Sequence, residues 1–315
     1  MKLAFVYSGQ GDQYVGMGKE MYENEKIVKE TFEEASDLLG YDMARLCFIK
    51  NDLINQTEYT QPAILTVSVA LNRLIESKEI IPDVVAGLSL GEYSALVASK
   101  ALSFEKAIKL VSQRGKFMGE SAAKGTGKMI AVMSGNIQMI ESVCKEASFV
   151  GVVSPTNYNT PNQTVIGGEV EAVDYACNLL KSLGIDALVP LRVSGPFHTS
   201  LLENAAEKFG ALLETIHFES MKIPVISNVS AEIMKDEEVK YLLKNQVKLP
   251  VLWNKTINKM NELGVETIIQ IGPGKTIERF IKQIDSKYKV GRIEDSKTLF
   301  NSLELLNTHN FSGLI

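Results

Sequence analysis

Val84-Val85-Ala86-Gly87-Leu88-Ser89-Leu90-Gly91 decides how this chain is read. Three apolar residues, two of them β-branched, lead into Gly-x-Ser-x-Gly, and Gly91 to Ser99 then reads as a helix. A strand that turns directly into a helix is the unit of an α/β fold with a parallel sheet. Such a turn holds a serine clear of both elements, and only glycine tolerates the close approach of the flanking backbone. The helix points its first N–H groups at whatever the serine attacks. Composition alone yields this pattern in about one chain in ten of this length. The preceding strand and the following helix therefore carry the weight, and they make Ser89 the candidate nucleophile.

Working outward, Leu3 to Tyr7 reads as a first buried strand that ends in the turn Ser8-Gly9-Gln10-Gly11. Ile223 to Ser227 and Thr267 to Ile271 read as further strands of the same sheet. The middle of the chain has another rhythm. Strand-like Met129 to Met133 precedes helical Ile137 to Ala147 and strand-like Phe149 to Val153. Strand-like Gln163 to Ile166, helical Val170 to Leu183 and strand-like Ala187 to Val193 follow. That β-α-β-β-α-β order is the ferredoxin-like unit. The expected organisation is a large α/β domain of residues 1–125 and 195–315, interrupted by a ferredoxin-like subdomain at 126–194.

A serine needs a partner to take its proton. The chain has three histidines. His309 lies in a polar terminal stretch, and His217 falls at a helix-to-strand transition, where a surface or half-buried place is expected. His198 follows Val193-Ser194-Gly195-Pro196-Phe197, a turn leaving the last strand of the subdomain, and is the candidate base. No Asp or Glu lies in that segment, so a backbone carbonyl is a possible orienting partner. Ser103 is a candidate cap for a helix from Phe104 to about Glu120, whose apolar stripe is Ala107, Leu110, Val111 and Met118. Arg114 falls inside that stripe. It is either a snorkelling or internally paired arginine, or one that meets a substrate anion.

The bulk numbers narrow the class. With 315 residues, 45% hydrophobic and 23% charged, the chain can bury a sizeable core. A net charge of −5 argues against nucleic-acid binding. The three cysteines, Cys47, Cys144 and Cys177, are scattered without CxxC spacing, which fits a reducing cytoplasm. The apolar run Met1 to Tyr7 reaches Gly9 too soon for a signal peptide, and no stretch has the roughly 20 apolar residues of a membrane span. Gly9 to Tyr14 lacks the third glycine of a dinucleotide loop, and Gly274-Lys275-Thr276 lacks the upstream glycine of a P-loop. No metal-ligand spacing is present, so no metal is expected.

Several blocks in order then carry a resemblance: Phe5 to Gln13, Tyr59-Thr60-Gln61-Pro62, Gly87 to Glu92, Gln113-Arg114-Gly115, Asn157 to Gln163, Gly195 to His198, Gln246 to Trp253 and Ile271 to Gly274. Over nearly its whole length the chain resembles the malonyl-CoA:acyl carrier protein transacylases of bacterial fatty acid synthesis. The resemblance implies an α/β-hydrolase-like core with a parallel sheet and an inserted ferredoxin-like subdomain. It also implies a cytoplasmic enzyme that moves malonyl from malonyl-CoA to acyl carrier protein through Ser89, with no permanently bound cofactor and no nucleic-acid or membrane partner. The chain is expected to act as a monomer. By motif, His198 is implied as general base and acid. Gln10 and Leu90 would give oxyanion-hole N–H groups, and Arg114 would clamp the substrate carboxylate. The Gln246 carbonyl would orient the histidine, Asn159 and Gln163 would line the cleft, and Phe197 would crowd a 2-methyl branch. Lys116 and Lys128 are candidates for docking the acidic carrier. An acyl hydrolase and a polyketide-synthase acyltransferase of the same fold are the alternative readings. Leu88 stands where most members have histidine, and Ser8 and Asp12 replace the usual proline and serine around Gln10.

Overall fold

A computed structural model describes residues 2–121, 125–191, 193 and 195–307. Its first sheet joins β1 (Lys2–Tyr7), β2 (Val84–Gly87), β7 (Val265–Ile271) and β8 (Lys289–Ile293) in the order β2-β1-β7-β8, all parallel. Parallel strands are covered on both faces, which is why the first three read as continuous apolar runs. Phe5, Tyr7, Val85 and Ile269 point into one core with the helices Thr57–Glu76 and Phe104–Ser121. Ala4, Val6, Ala86 and Ile268 point the other way, onto Trp253 and Ile257 of the helix Trp253–Glu262 and Ile277 and Ile281 of Thr276–Ile284. Among the described residues no helix is long and apolar enough to cross a membrane.

The second sheet holds β3 (Gly127–Val132), β4 (Val153–Thr160), β5 (Gln163–Glu169) and β6 (Leu188–Pro190) in the order β4-β5-β3-β6. Every pairing in it is antiparallel. The helices Ile137–Ala147 and Val170–Ser182 connect the strands and pack on each other, completing a β-α-β-β-α-β order. Alternation along β3 explains how this unit joins the rest. Ile130 and Val132 enter its own core with Ile140, Val173 and Leu180. Met129 and Ala131 face the opposite way and join the large core with Phe197.

Three expected strands differ from those observed. Ile223 to Ser227 contributes only single bridges, Val85 to Val225 and Ile226 to Ile233, because Pro224, its second residue, has no N–H for a ladder. Phe149 is exposed, and the strand expected at 149–153 runs instead from Val153 to Thr160. Its polar sequence and Pro155 disguised it; as the edge strand, β4 tolerates that proline at a register shift. The strand expected at 187–193 keeps only Leu188–Pro190. β8, with Gly291 and Arg292 at its centre, was not foreseen.

The strand ends place the site. Tyr7 lies beside Gly87 on one side and Ile271 on the other, so the turns that follow β1, β2 and β7 emerge together at the carboxyl edge. They are pressed into contact there. A Cβ on Gly87 would sit 1.9 Å from the Gly91 carbonyl carbon, and one on Gly91 would sit 2.1 Å from the Tyr7 oxygen. Gly87→Ala or Gly91→Ala should therefore cost more than about 4 kcal/mol. Gly119→Ala, in the helix Phe104–Ser121 with nothing within 4 Å of the added methyl, should stabilise by up to about 1 kcal/mol. Urea unfolding of the three variants measures both effects.

Candidate active site

The turn after β2 places Ser89 at φ 50°, and the helix Gly91–Ala98 starts two residues later. A non-glycine residue in the left-handed region is strained by about 1–3 kcal/mol and needs its surroundings to hold it. Asn228 does so: its Oδ1 accepts the Ser89 N–H at 2.6 Å, and its Nδ2 donates to the Gly87 carbonyl at 2.7 Å.

His198, also left-handed at φ 61°, brings Nε2 to 2.8 Å from Ser89 Oγ. Its Nδ1 lies 2.7 Å from the Gln246 backbone oxygen. A carbonyl only accepts, so Nδ1 carries the hydrogen and Nε2 presents its lone pair to the serine hydroxyl. Burial, and then the charge of Arg114, push the imidazole down to about 4. It is neutral at pH 7 and able to take a proton. A serine, a neutral base and an oriented tautomer form the arrangement needed for nucleophilic attack.

Arg114 is 1% exposed, which rules out snorkelling. Its Nη1 donates to Gln61 Oε1 at 2.9 Å, and its Nη2 to Gln246 Oε1 at 2.9 Å and Ser89 Oγ at 3.2 Å. Nε has no partner, and the guanidinium lies 5.3 Å from the Tyr93 ring centroid. Among the described residues the arginine–carboxylate pairs belong to Arg73 and Arg292, so Arg114 is a buried cation lacking an ion-pair partner. Burial lowers its pKa without discharging a guanidinium.

These groups open into a cavity of about 330 Å³, within the range of small-molecule sites. Gln10, Ser89, Arg114 and His198 form its polar floor, and Asn159, Gln163 and Phe197 stand on its wall with Met118, Met129 and Val165. Asn159 donates to Gln163 Oε1 at 2.8 Å. Leu90 is the residue just before the helix, where an N–H has no intrahelical acceptor, and its side chain is buried in the core. The cavity thus draws on both sheets: β3, β4 and β5 supply one wall and the turns of the parallel sheet supply the floor.

His217 lies apart from the cavity, exposed, 3.2 Å from Glu219, and His309 falls outside the described residues. Lys128 is ion-paired with Asp174, whereas Lys116 is exposed. Leu88 lines the cavity directly. Ser8 and Asp12 both reach the turn after β7: Ser8 Oγ donates to the Pro273 carbonyl at 2.7 Å, and Thr276 Oγ1 donates to Asp12 at 2.5 Å. The loop carrying Gln10 is tied at both ends to that turn. Burial pushes the Asp12 carboxyl up to about 6. Gln61, Asn228, Thr276 and Phe280 had no assigned place in the sequence reading. Gln61 stood within a quoted block, while Asn228 follows an apolar run with no motif of its own.

The chain is similar to known proteins over nearly its whole length. The acyl transferase domain family matches residues 4–295. The malonyl CoA-acyl carrier protein transacylase of Bacillus subtilis is 38% identical over 312 residues, 98% of each chain. The crystal structure of MCAT from Streptococcus pneumoniae superposes with a TM-score of 0.94 at 50% identity, covering 96% of this chain and 99% of that one. A malonyl-transacylase in complex with its type II polyketide synthase acyl-carrier protein superposes with a TM-score of 0.94 at 38% identity, covering 96% and 99%. Identity at this level over the full length, on a shared fold, places the chain in the acyl transferase domain family, among the malonyl CoA-acyl carrier protein transacylases.

Proposed function

We propose that this enzyme transfers malonyl from coenzyme A to the phosphopantetheine thiol of acyl carrier protein, feeding fatty acid synthesis through a malonyl-Ser89 intermediate. The observation that carries the reading is Arg114: a buried guanidinium with no ion-pair partner among the described residues, 3.2 Å from the serine hydroxyl. A neutral acyl group brings no counter-charge to it, whereas a short diacid brings its own carboxylate. The relatives' names and the solved complex with a carrier protein support the same substrates.

In the first half-reaction His198 Nε2 takes the Ser89 proton as Oγ attacks the thioester carbonyl. The N–H groups of Gln10 and Leu90 receive the oxyanion, at about 3 kcal/mol per donor. Collapse breaks the C–S bond, and the imidazolium returns its proton to the departing thiolate of coenzyme A. The carrier thiol then enters, gives its proton to His198 and reverses the sequence. Gln246 holds the imidazole through its carbonyl. Asn159, Gln163 and Phe197 shape the space around the acyl chain. Every one of these groups comes from one chain, so the reading needs no second copy. Its three thiols, all free, suit the cytoplasm.

The architecture fits the same assignment. We read the parallel sheet and its helices, residues 1–125 and 195–315, as an α/β-hydrolase-like domain. Residues 126–194, whose second sheet has the 2-3-1-4 spatial order of a β-α-β-β-α-β unit, form the ferredoxin-like subdomain.

Intact mass after incubation with malonyl-CoA alone should reveal a malonyl adduct on Ser89 that persists in water and moves to added phosphopantetheinylated carrier. Rapid release of malonate without the carrier would instead identify a hydrolase. Arg114→Ala should lower kcat/KM for malonyl-CoA by about 100-fold or more and spare acetyl-CoA. Equal losses would remove the clamp. The final acid limb of the kcat/KM–pH profile for loading should lie near pH 4, where His198 protonates. Bound malonyl offsets Arg114, the second cause of that depression, so the acid limb of kcat should lie at higher pH than that of kcat/KM.

A further inference from the structure

Glu92, one residue into the helix that follows the nucleophile turn, is 1% exposed and has no part in the reaction described above. Both of its carboxylate oxygens are engaged. Oε1 accepts the backbone N–H of Asn228 at 3.2 Å, and Oε2 accepts from Gln246 Nε2. These two neighbours hold the rest of the site. Asn228 bonds the Ser89 N–H and the Gly87 carbonyl. Gln246 gives its backbone oxygen to His198, its Nε2 to the Ser89 carbonyl at 2.8 Å, and its Oε1 to Arg114.

We infer that Glu92 is a positioning residue that sets the orientation of the Gln246 side-chain amide and, through it, the aim of Arg114. A carboxylate offers two acceptor faces and no hydrogen, so the amide facing it must present NH₂. The other end of that amide, Oε1, is then left toward the guanidinium. Turned over, the amide would set its oxygen against Glu92 and the Ser89 carbonyl, and its hydrogens against Arg114. Arg114 would lose one of its two amide acceptors and gain a repulsive neighbour. The inference rests on the reading of Arg114 as the malonyl clamp.

Glu92→Gln isolates the effect, because the glutamine that replaces Glu92 has one acceptor oxygen for two donors. The Asn228 donor is backbone and cannot turn, so that oxygen stays with it. The new NH₂ then faces Gln246, whose side chain flips. At about pH 8 the wild-type carboxyl is ionised, although burial pushes it up to about 7. Under those conditions Glu92→Gln should lower malonyl kcat/KM roughly tenfold while changing acetyl kcat less than about threefold. In the Arg114→Ala background the same substitution should lower malonyl transfer no further, since the clamp it positions is gone. Parallel losses with both acyl groups, or a full additional loss in the Arg114→Ala background, would make Glu92 a scaffold residue and overturn the inference. Arg114→Ala with no malonyl preference to lose would overturn the clamp itself, a separate result. If Glu92→Gln yields too little folded protein, the unmutated enzyme supplies the test: malonyl kcat/KM should fall relative to acetyl kcat/KM as pH drops through about 7 and Glu92 protonates, and parallel profiles for the two acyl groups would also refute the inference.

Discussion

The close approach of three backbone segments beneath Ser89 is the constraint on which the molecule turns. Gly87 and Gly91 carry no Cβ because their neighbours occupy that space, the Gly91 backbone for the first and the Tyr7 oxygen for the second. This contact locks the end of β2 to the end of β1 and sets the starting point of the helix Gly91–Ala98. It also forces Ser89 into a left-handed conformation that most residues avoid. His198 is held in the same strained region. Neither conformation would persist alone. Asn228 grips the serine backbone, the Gln246 carbonyl grips the imidazole, and Glu92 lies behind both.

The electrostatics follow from the same burial. Low dielectric pushes His198 down to about 4 and Glu92 up to about 7, each toward its neutral form. Arg114 keeps its charge throughout, on two amide oxygens and a serine hydroxyl. A buried cluster with one fixed cation and one neutral base is preorganised for an anionic acyl group and for a serine alkoxide. Three neutral hydrogen bonds compensate a buried guanidinium less than a carboxylate would, and the difference is available to a substrate that brings one. Leu88, next to the serine in the chain, adds an apolar face to the cavity.

Much of this was legible in the chain. Gly-x-Ser-x-Gly after a short apolar strand marked the turn, because a strand ending in a tight glycine corner has few other uses. Arg114 stood out by position: helical periodicity put it in line with Ala107, Leu110, Val111 and Met118, and the helix does bury that face. The β-α-β-β-α-β rhythm was readable because its helices have strong apolar stripes. Where the reading slipped, the local pattern was weak. β4 is polar and contains Pro155, β8 is short with glycine and arginine inside, and Pro224 broke a run that looked like a strand.

The sequence by itself therefore determined the fold class, the corner that bears Ser89 and the place of Arg114 on the apolar face of its helix, since each is written in spacing over a few residues. Tertiary structure alone decided which groups converge on them. Asn228 meets Ser89 across 139 residues, Gln246 meets Glu92 across 154, and Gln61 meets Arg114 across 53. Ser8 and Asp12 meet the turn after β7 across more than 260. Such contacts leave no periodic trace, because they arise from the parallel strands ending level and from one face of the second sheet closing over them. Periodicity reports which way a side chain points; only the packed chain reports what it meets.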